Sequence, residues 1–197
     1  METFFLVPVF ERYSKWLLFE ISNAYRLIGN RLILSDVEDE RLAKELRSRG
    51  ILVFREDFTK VLKELPKPII VLDPKAKVNL DPGEASSGTI IIGGILGSHP
   101  PLGRTSVLIS SRFRGFKEFV YFRKIGDRQF TIDGALAVAW LISQGKKLEE
   151  IEVVNGLKIT QKLPFGLQRE IELPYAYPKV NGKLFVSKEL LNYLLTS

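Results

Sequence analysis

Gly93-Gly94-Ile95-Leu96-Gly97-Ser98-His99-Pro100-Pro101-Leu102-Gly103-Arg104-Thr105 leaves the end of an apolar run, Thr89 to Ile92, that reads as a buried strand. A glycine-rich loop at a strand end lacks the side chains that would hold a flat ligand away from the backbone, and it tolerates positive φ at little steric cost. Pro100-Pro101 fixes φ twice and donates no N–H, so this part of the loop is expected to be a stiff extended wall. A plain strand-to-loop turn has the same composition, and that alternative stays open. The spacing is neither Gly-x-Gly-x-x-Gly nor Gly-Lys-Ser/Thr, which argues against a dinucleotide fingerprint and against a phosphate-cradling P-loop.

Upstream of the loop, apolar runs alternate with helical patterns. Thr3 to Phe10 reads as a strand, and Ser14 as the cap of a helix that Gly29 stops. Arg31 to Leu34 is a second strand, followed by Ser35 or Asp36 as cap and a charged helix over Val37 to Arg49. Ile51 to Phe54 and Ile69 to Leu72 are further strands, separated by a helix over Asp57 to Leu65; Lys75 to Gly88 reads as a surface connection. Near-continuous β-branched strands between helices indicate an α/β protein with a mostly parallel sheet and helices on both faces. Downstream, Thr105 to Phe113 reads as a helix, Lys117 to Phe122 as a strand, and Thr131 as the cap of a helix over Ile132 to Gln144 with Asp133 in its first turn. Asn155-Gly156 reads as the two-residue turn of a hairpin over Ile151 to Ile159, and Ser187 opens a terminal helix. The whole of 1–197 is expected to be one domain, with 145–197 as a hairpin and helix extension.

In open parallel sheets ligands bind beyond the carboxyl ends of the strands, so the segments Leu72-Asp73-Pro74, Gly93 to Gly97 and Ile125 to Thr131 are expected to converge on one cleft. Charge points to what meets it. Residues 1–98 hold 14 basic and 14 acidic side chains, whereas 99–197 hold 15 basic and 9 acidic, so the net charge of +6 belongs to the second half. Arg104, Arg112, Arg114, Lys117, Arg123, Lys124 and Arg128 follow the loop closely, which suggests an anionic partner there or simply a solvated face. With no cysteine and one histidine, disulfides, thiolate metal sites and histidine clusters are excluded, and no metal is expected. No apolar run approaches the roughly 18 residues that span a bilayer, and the first ten residues lack a leader pattern, so a cytoplasmic protein without membrane contact is expected. Abundant Glu, Lys and Arg with few thermolabile residues is a composition associated with thermophiles.

The loop, with Arg104-Thr105, resembles a motif of one branch of the SPOUT methyltransferases. Leu72-Asp73-Pro74 with Ala76, Gly126, Gln129-Phe130-Thr131, Asp133, and the early Trp16 with Glu20 fall in that family's order, and the match runs over roughly residues 3 to 177. The resemblance implies a C-terminal deep trefoil knot, S-adenosylmethionine as methyl donor, and a donor pocket at Leu72, Asp73, Pro74, Gly93, Gly94, Ile95, Leu96, Gly97, Ile125, Gly126, Gln129, Phe130 and Thr131. It also implies a component of the translation machinery as substrate, either RNA or an arginine of a ribosomal protein, since the eukaryotic branch nearest this motif methylates a small-subunit ribosomal protein. Relatives are commonly dimers, so a homodimer is expected. The chain departs from the family at Ser98, Leu102, Gly103 and Phe130, where Asp, Arg, Asp and Met are usual; a non-catalytic RNA- or ribosome-binding protein that keeps the fold is the alternative.

Methyl transfer from a sulfonium needs an in-line approach, a free lone pair and exclusion of water. If the acceptor is a guanidinium, its proton must leave as the bond forms, and Glu20 and Asp133 are the candidate acceptors. Their alternatives are a solvated helix glutamate and a helix-start carboxylate. His99 is a base, a stacking ring or a plain loop residue, and Arg104 is an anion clamp or a structural ion pair. Arg112, Arg114, Arg123, Lys124 and Arg128 are the candidate substrate contacts.

Overall fold

The computed structural model describes residues 2–94, 104–113 and 119–196. Its apolar runs become β1 (Thr3–Pro8), β2 (Leu32–Ser35), β3 (Leu52–Val53), β4 (Ile69–Leu72), β5 (Gly88–Ile91) and β6 (Val120–Arg123). They form one six-stranded sheet in the order β3-β2-β1-β5-β4-β6, and every pairing in it is parallel. A second sheet, β7 (Val153–Lys162), β8 (Gln168–Val180) and β9 (Lys183–Leu184), is antiparallel. The helices are α1 (Lys15–Ile28), α2 (Glu40–Ser48), α3 (Phe58–Val61), α4 (Pro82–Ala85), α5 (Arg104–Leu108), α6 (Ile132–Ser143) and α7 (Lys188–Thr196).

Side chains alternate across a strand, so a strand buried on both faces feeds two cores. Phe5, Val7, Leu34, Ile70, Leu72 and Ile90 join one core with α1, α2 and α6. Leu6, Ile33, Ile69, Val71 and Ile91 join another with Phe58, Leu62, Ile109 and Phe113. Helices therefore cover both faces, as the unbroken apolar runs require.

Capping chemistry sets the helix ends. Ser14 Oγ accepts the Leu17 N–H at 3.1 Å, and Gly29, at φ +68°, stops α1. The second helix departs from expectation and starts at Glu40, because Asp39 is its cap: Asp39 Oδ1 accepts Leu42 N–H at 2.9 Å. Asp36 is drawn elsewhere, adopting φ +57° and accepting the Phe58 N–H at 2.9 Å. The 75–88 connection is more ordered than a surface loop, since α4 lies within it and Ala85 is buried, with its carbonyl accepting from Thr3 Oγ1 at 2.6 Å. The expected helices over 57–65 and 105–113 are shorter, each finishing as a 3-10 turn, Leu62–Glu64 and Ser110–Phe113.

Asn155-Gly156 is not a hairpin turn. β7 runs straight through it, and the chain reverses instead at Pro164–Gly166. Asn155 pairs with Ala176 and Leu157 with Leu173, so Pro174 and Tyr175 together oppose Gly156 in a bulge. Gly156, at φ +72°, supplies the left-handed backbone there, and Pro174 sits where no ladder N–H is needed. β7 packs on α7, with Gln161 Nε2 donating to Leu195 O at 2.9 Å; Ser187 opens that helix as expected, and Glu189 ties it to Arg26 and Arg49.

Candidate active site

Because all strands of the main sheet run the same way, their carboxyl ends share one edge, and the order of building reverses between β1 and β5. Leu72-Asp73-Pro74, Gly93-Gly94 and Ile125 to Thr131 all leave that edge, and the helices α1 and α6 begin there. At the reversal Gly94 N–H donates to Pro8 O at 2.9 Å. A Cβ on Gly94 would stand 2.8 Å from Pro8 O and Val7 Cγ1 and 2.9 Å from Val9 Cγ2, so its bareness serves the seam with β1. Gly126 is different: it takes φ +81°, and among the described residues a Cβ there would meet only Leu148 Cδ2, at 3.8 Å. Ile125 and Phe130 lie half-buried against the core beside it. Asp73 is buried and used locally, accepting from Lys75 N–H at 2.9 Å and from Ser110 Oγ at 2.6 Å; Pro74 is exposed. Gln129 O accepts the Ala176 N–H at 2.8 Å, which fastens β8 to the loop before α6. Ile95, Leu96, Gly97, His99 and Arg114 lie outside the described residues, and so does the Arg104 side chain.

Two carboxyl groups far apart in sequence meet under this edge. Glu20 on α1 and Asp133 in the first turn of α6 are each 2% exposed. Glu20 Oε1 accepts Trp16 Nε1–H at 2.5 Å, and Oε2 accepts the Ile132 N–H at 3.0 Å. Asp133 Oδ2 accepts Asn23 Nδ2 at 2.7 Å, while Oδ1 accepts Thr131 Oγ1 at 2.6 Å and Gly134 N–H at 2.9 Å. Burial, reinforced by the charge of Asp133, raises the Glu20 carboxyl to about 8. Burial also raises Asp133, to about 6, against the pull of its hydrogen bonds from Thr131, Asn23 and Gly134. The pair is thus poised to change protonation near neutrality, the condition for moving a proton to or from a bound group.

The basic residues divide by partner. Arg112 pairs with Asp57 at 2.6 Å and lies over the Phe58 ring, and Arg123 pairs with Glu84 and sits against Tyr121. Lys124 pairs with Asp127. Arg128 is exposed and has no such partner among the described residues. It borders a groove of about 430 Å³ lined also by Leu148, Ile151, Val153, Val154 and Lys179.

Sequence comparison settles the family. The family of SFM1-like protein arginine N-methyltransferases matches residues 5–197. The chain belongs to this family. It is 29% identical over 181 residues to protein arginine N-methyltransferase SFM1 of Saccharomyces cerevisiae, covering 85% of this chain and 81% of the yeast protein. The crystal structure of the yeast arginine methyltransferase SFM1 complexed with SAM superposes with a TM-score of 0.81 at 25% identity, over 100% of this chain and 91% of that one. Dual-specific Trm10 from Thermococcus kodakaraensis superposes with a TM-score of 0.60 at 18% identity, over 75% and 96%, and shares the fold.

Reasoning from the sequence missed Asn23, which donates to Asp133. Asn23 stands three positions after Glu20, so both lie on one face of α1, and two buried amide-bearing or acidic residues on an otherwise apolar face were the available signal.

Proposed function

We propose that the protein is an S-adenosylmethionine-dependent protein-arginine N-methyltransferase that modifies an arginine of a ribosomal protein, working in the cytoplasm. The observation that carries this reading is the buried Glu20 and Asp133 pair, held by two helices at the carboxyl edge of the sheet, in a chain of the SFM1-like family. The deep knot that the SPOUT resemblance implies, a homodimer and a single domain over 1–197 belong to the same proposal.

The residues at the edge suit the donor. The half-buried apolar side chains of Ile125 and Phe130, beside Leu72 and the open main chain at Gly126, offer a flat purine both apolar walls and backbone contact. Gly93, Gln129 and Thr131 complete that cradle. When bound, S-adenosylmethionine supplies a methyl group already activated as a sulfonium.

The protein's own groups deal with the acceptor. A guanidinium carries its charge over a plane of N–H donors, and two carboxylates facing it satisfy that geometry while fixing the reacting nitrogen. Its arrival favours the ionised forms of Glu20 and Asp133, reversing the effect of burial. As the N–CH₃ bond forms, that nitrogen loses a proton to the carboxylate pair. Trp16, Ile132 N–H, Asn23 and Thr131 keep both carboxyl groups in place throughout.

A protein acceptor is favoured over RNA because Arg112 and Arg123, two of the cations that would face phosphate, are already paired with Asp57 and Glu84. Incubation with methyl-labelled donor and separated ribosomal proteins and RNA tests the proposal. Label recovered as methylarginine supports it; label in nucleosides, or none, refutes it.

A further inference from the structure

Tyr177 is the largest fully buried side chain of the described residues, 1% exposed, and its hydroxyl has no hydrogen-bond partner there. A phenol oxygen taken out of water without a partner is costly, so its retention needs a reason. Its neighbours on β8 supply the setting. Ala176 N–H donates to Gln129 O at 2.8 Å, and Phe130 bridges to Ala176. Ala176 O and Pro178 Cδ lie 3.4 and 3.5 Å from where a Cβ on Gly134 would stand. Residues 176–178 therefore cross the loop and first turn of α6, the turn that carries Asp133.

We propose that the Tyr177 hydroxyl is a third contact of the acceptor site, accepting a hydrogen bond from the guanidinium that Glu20 and Asp133 bind, and so selecting guanidinium over ammonium. This rests on the arginine reading above. Two carboxylates alone would also hold the compact ammonium of a lysine, whereas a guanidinium has five N–H donors fanned across a plane and needs acceptors from more than one direction. Burial, and then the charges of Glu20 and Asp133, raise the pKa of the phenol, which keeps it protonated with its lone pairs available. A site built to pair each donor of its ligand rejects an analogue that leaves one of its own groups unpaired.

Two measurements on the whole chain test this. In protein labelled with ¹³C at the tyrosine ring carbon bearing oxygen, ethylguanidinium is expected to move the Tyr177 resonance, and ethylammonium to leave it in place. Tyr177→Phe is expected to raise KM for the ribosomal protein acceptor about tenfold, with a smaller change in kcat, unaltered affinity for S-adenosylmethionine and equal or higher thermal stability. A wild-type enzyme that methylates arginine while Tyr177→Phe keeps the same KM, or while the resonance stays still, overturns the role of Tyr177 alone. A wild-type enzyme that neither responds to ethylguanidinium nor methylates arginine overturns the acceptor reading as well.

Discussion

Glu20 Oε2 accepts the main-chain N–H of Ile132 at 3.0 Å, so a side chain of α1 caps the first turn of α6 across 112 residues of sequence. The first amides of a helix lack intrahelical partners, and the macrodipole places partial positive charge there. Glu20 therefore has a structural role and, in the proposed reaction, a chemical one. Glu20→Gln separates them. The amide still occupies the site but cannot accept at both ends, and it carries no charge for a guanidinium. Transfer to arginine is expected to fall by about 10²-fold or more, with binding of S-adenosylmethionine by calorimetry unchanged. Retained activity would leave Glu20 as a cap only.

Titration of the pair is visible without substrate. Glu20 rises from 4.5 to about 8 and Asp133 from 3.8 to about 6, so the folded state binds more protons than the unfolded one between these values. Their contribution to stability is fully present below about pH 4 and is lost as pH climbs through 6 and 8. Asp39, Asp57 and Glu189, lowered by hydrogen bonds and by Arg112, Arg26 and Arg49, act in the opposite sense at lower pH. Thermal melts are expected to peak near pH 5 and decline towards pH 8, and Glu20→Gln is expected to flatten that decline. An equally steep decline in the variant would contradict the assignment.

Activity runs the other way. Guanidinium binding and proton acceptance need ionised carboxyl groups, so kcat/KM is expected to rise with pH through the two macroscopic titrations of the pair, between about 6 and 8. A flat profile across that range would place the chemistry elsewhere.

Gly94→Ala tests what the glycine loop is for. A Cβ there collides with Pro8 O, Val7 and Val9, so the variant is expected to lose about 1–3 kcal/mol of stability through displacement of β1, read by denaturant melts. Unchanged stability with lost donor binding would show that the bare position serves the ligand directly.

The basic residues give a paired comparison. Arg128→Glu is expected to raise KM for the protein acceptor several-fold without moving the melting temperature, because Arg128 is exposed and has no partner among the described residues. Arg112→Ala removes a partly exposed ion pair with Asp57 and is expected to cost about 0.2–1 kcal/mol of stability, with KM unaltered. The reverse pattern would assign the substrate surface to Arg112.

The parallel sheet was legible because runs such as Ile69 to Leu72 are apolar at every position, which only burial on both faces explains. Caps were legible where one candidate stood alone, as at Ser14 and Thr131, and misplaced at Ser35 and Asp36, where Asp39 competed and Asp36 was claimed by Phe58. Asn155-Gly156 misled because a left-handed glycine suits a bulge as well as a turn, and strand pairing over residues 157 to 173 decided between them. Glu20 and Asp133 could be nominated one at a time, yet their union through Ile132 depends on how α1 packs on α6, a distance that no local pattern encodes.

The most direct test of the central claim is tandem mass spectrometry of ribosomal proteins incubated with the purified protein and S-adenosylmethionine, beside Glu20→Gln as control. The account predicts a single added methyl group on an arginine with the wild type and none with the variant. Methyl groups confined to RNA, or transferred equally by both proteins, would contradict it.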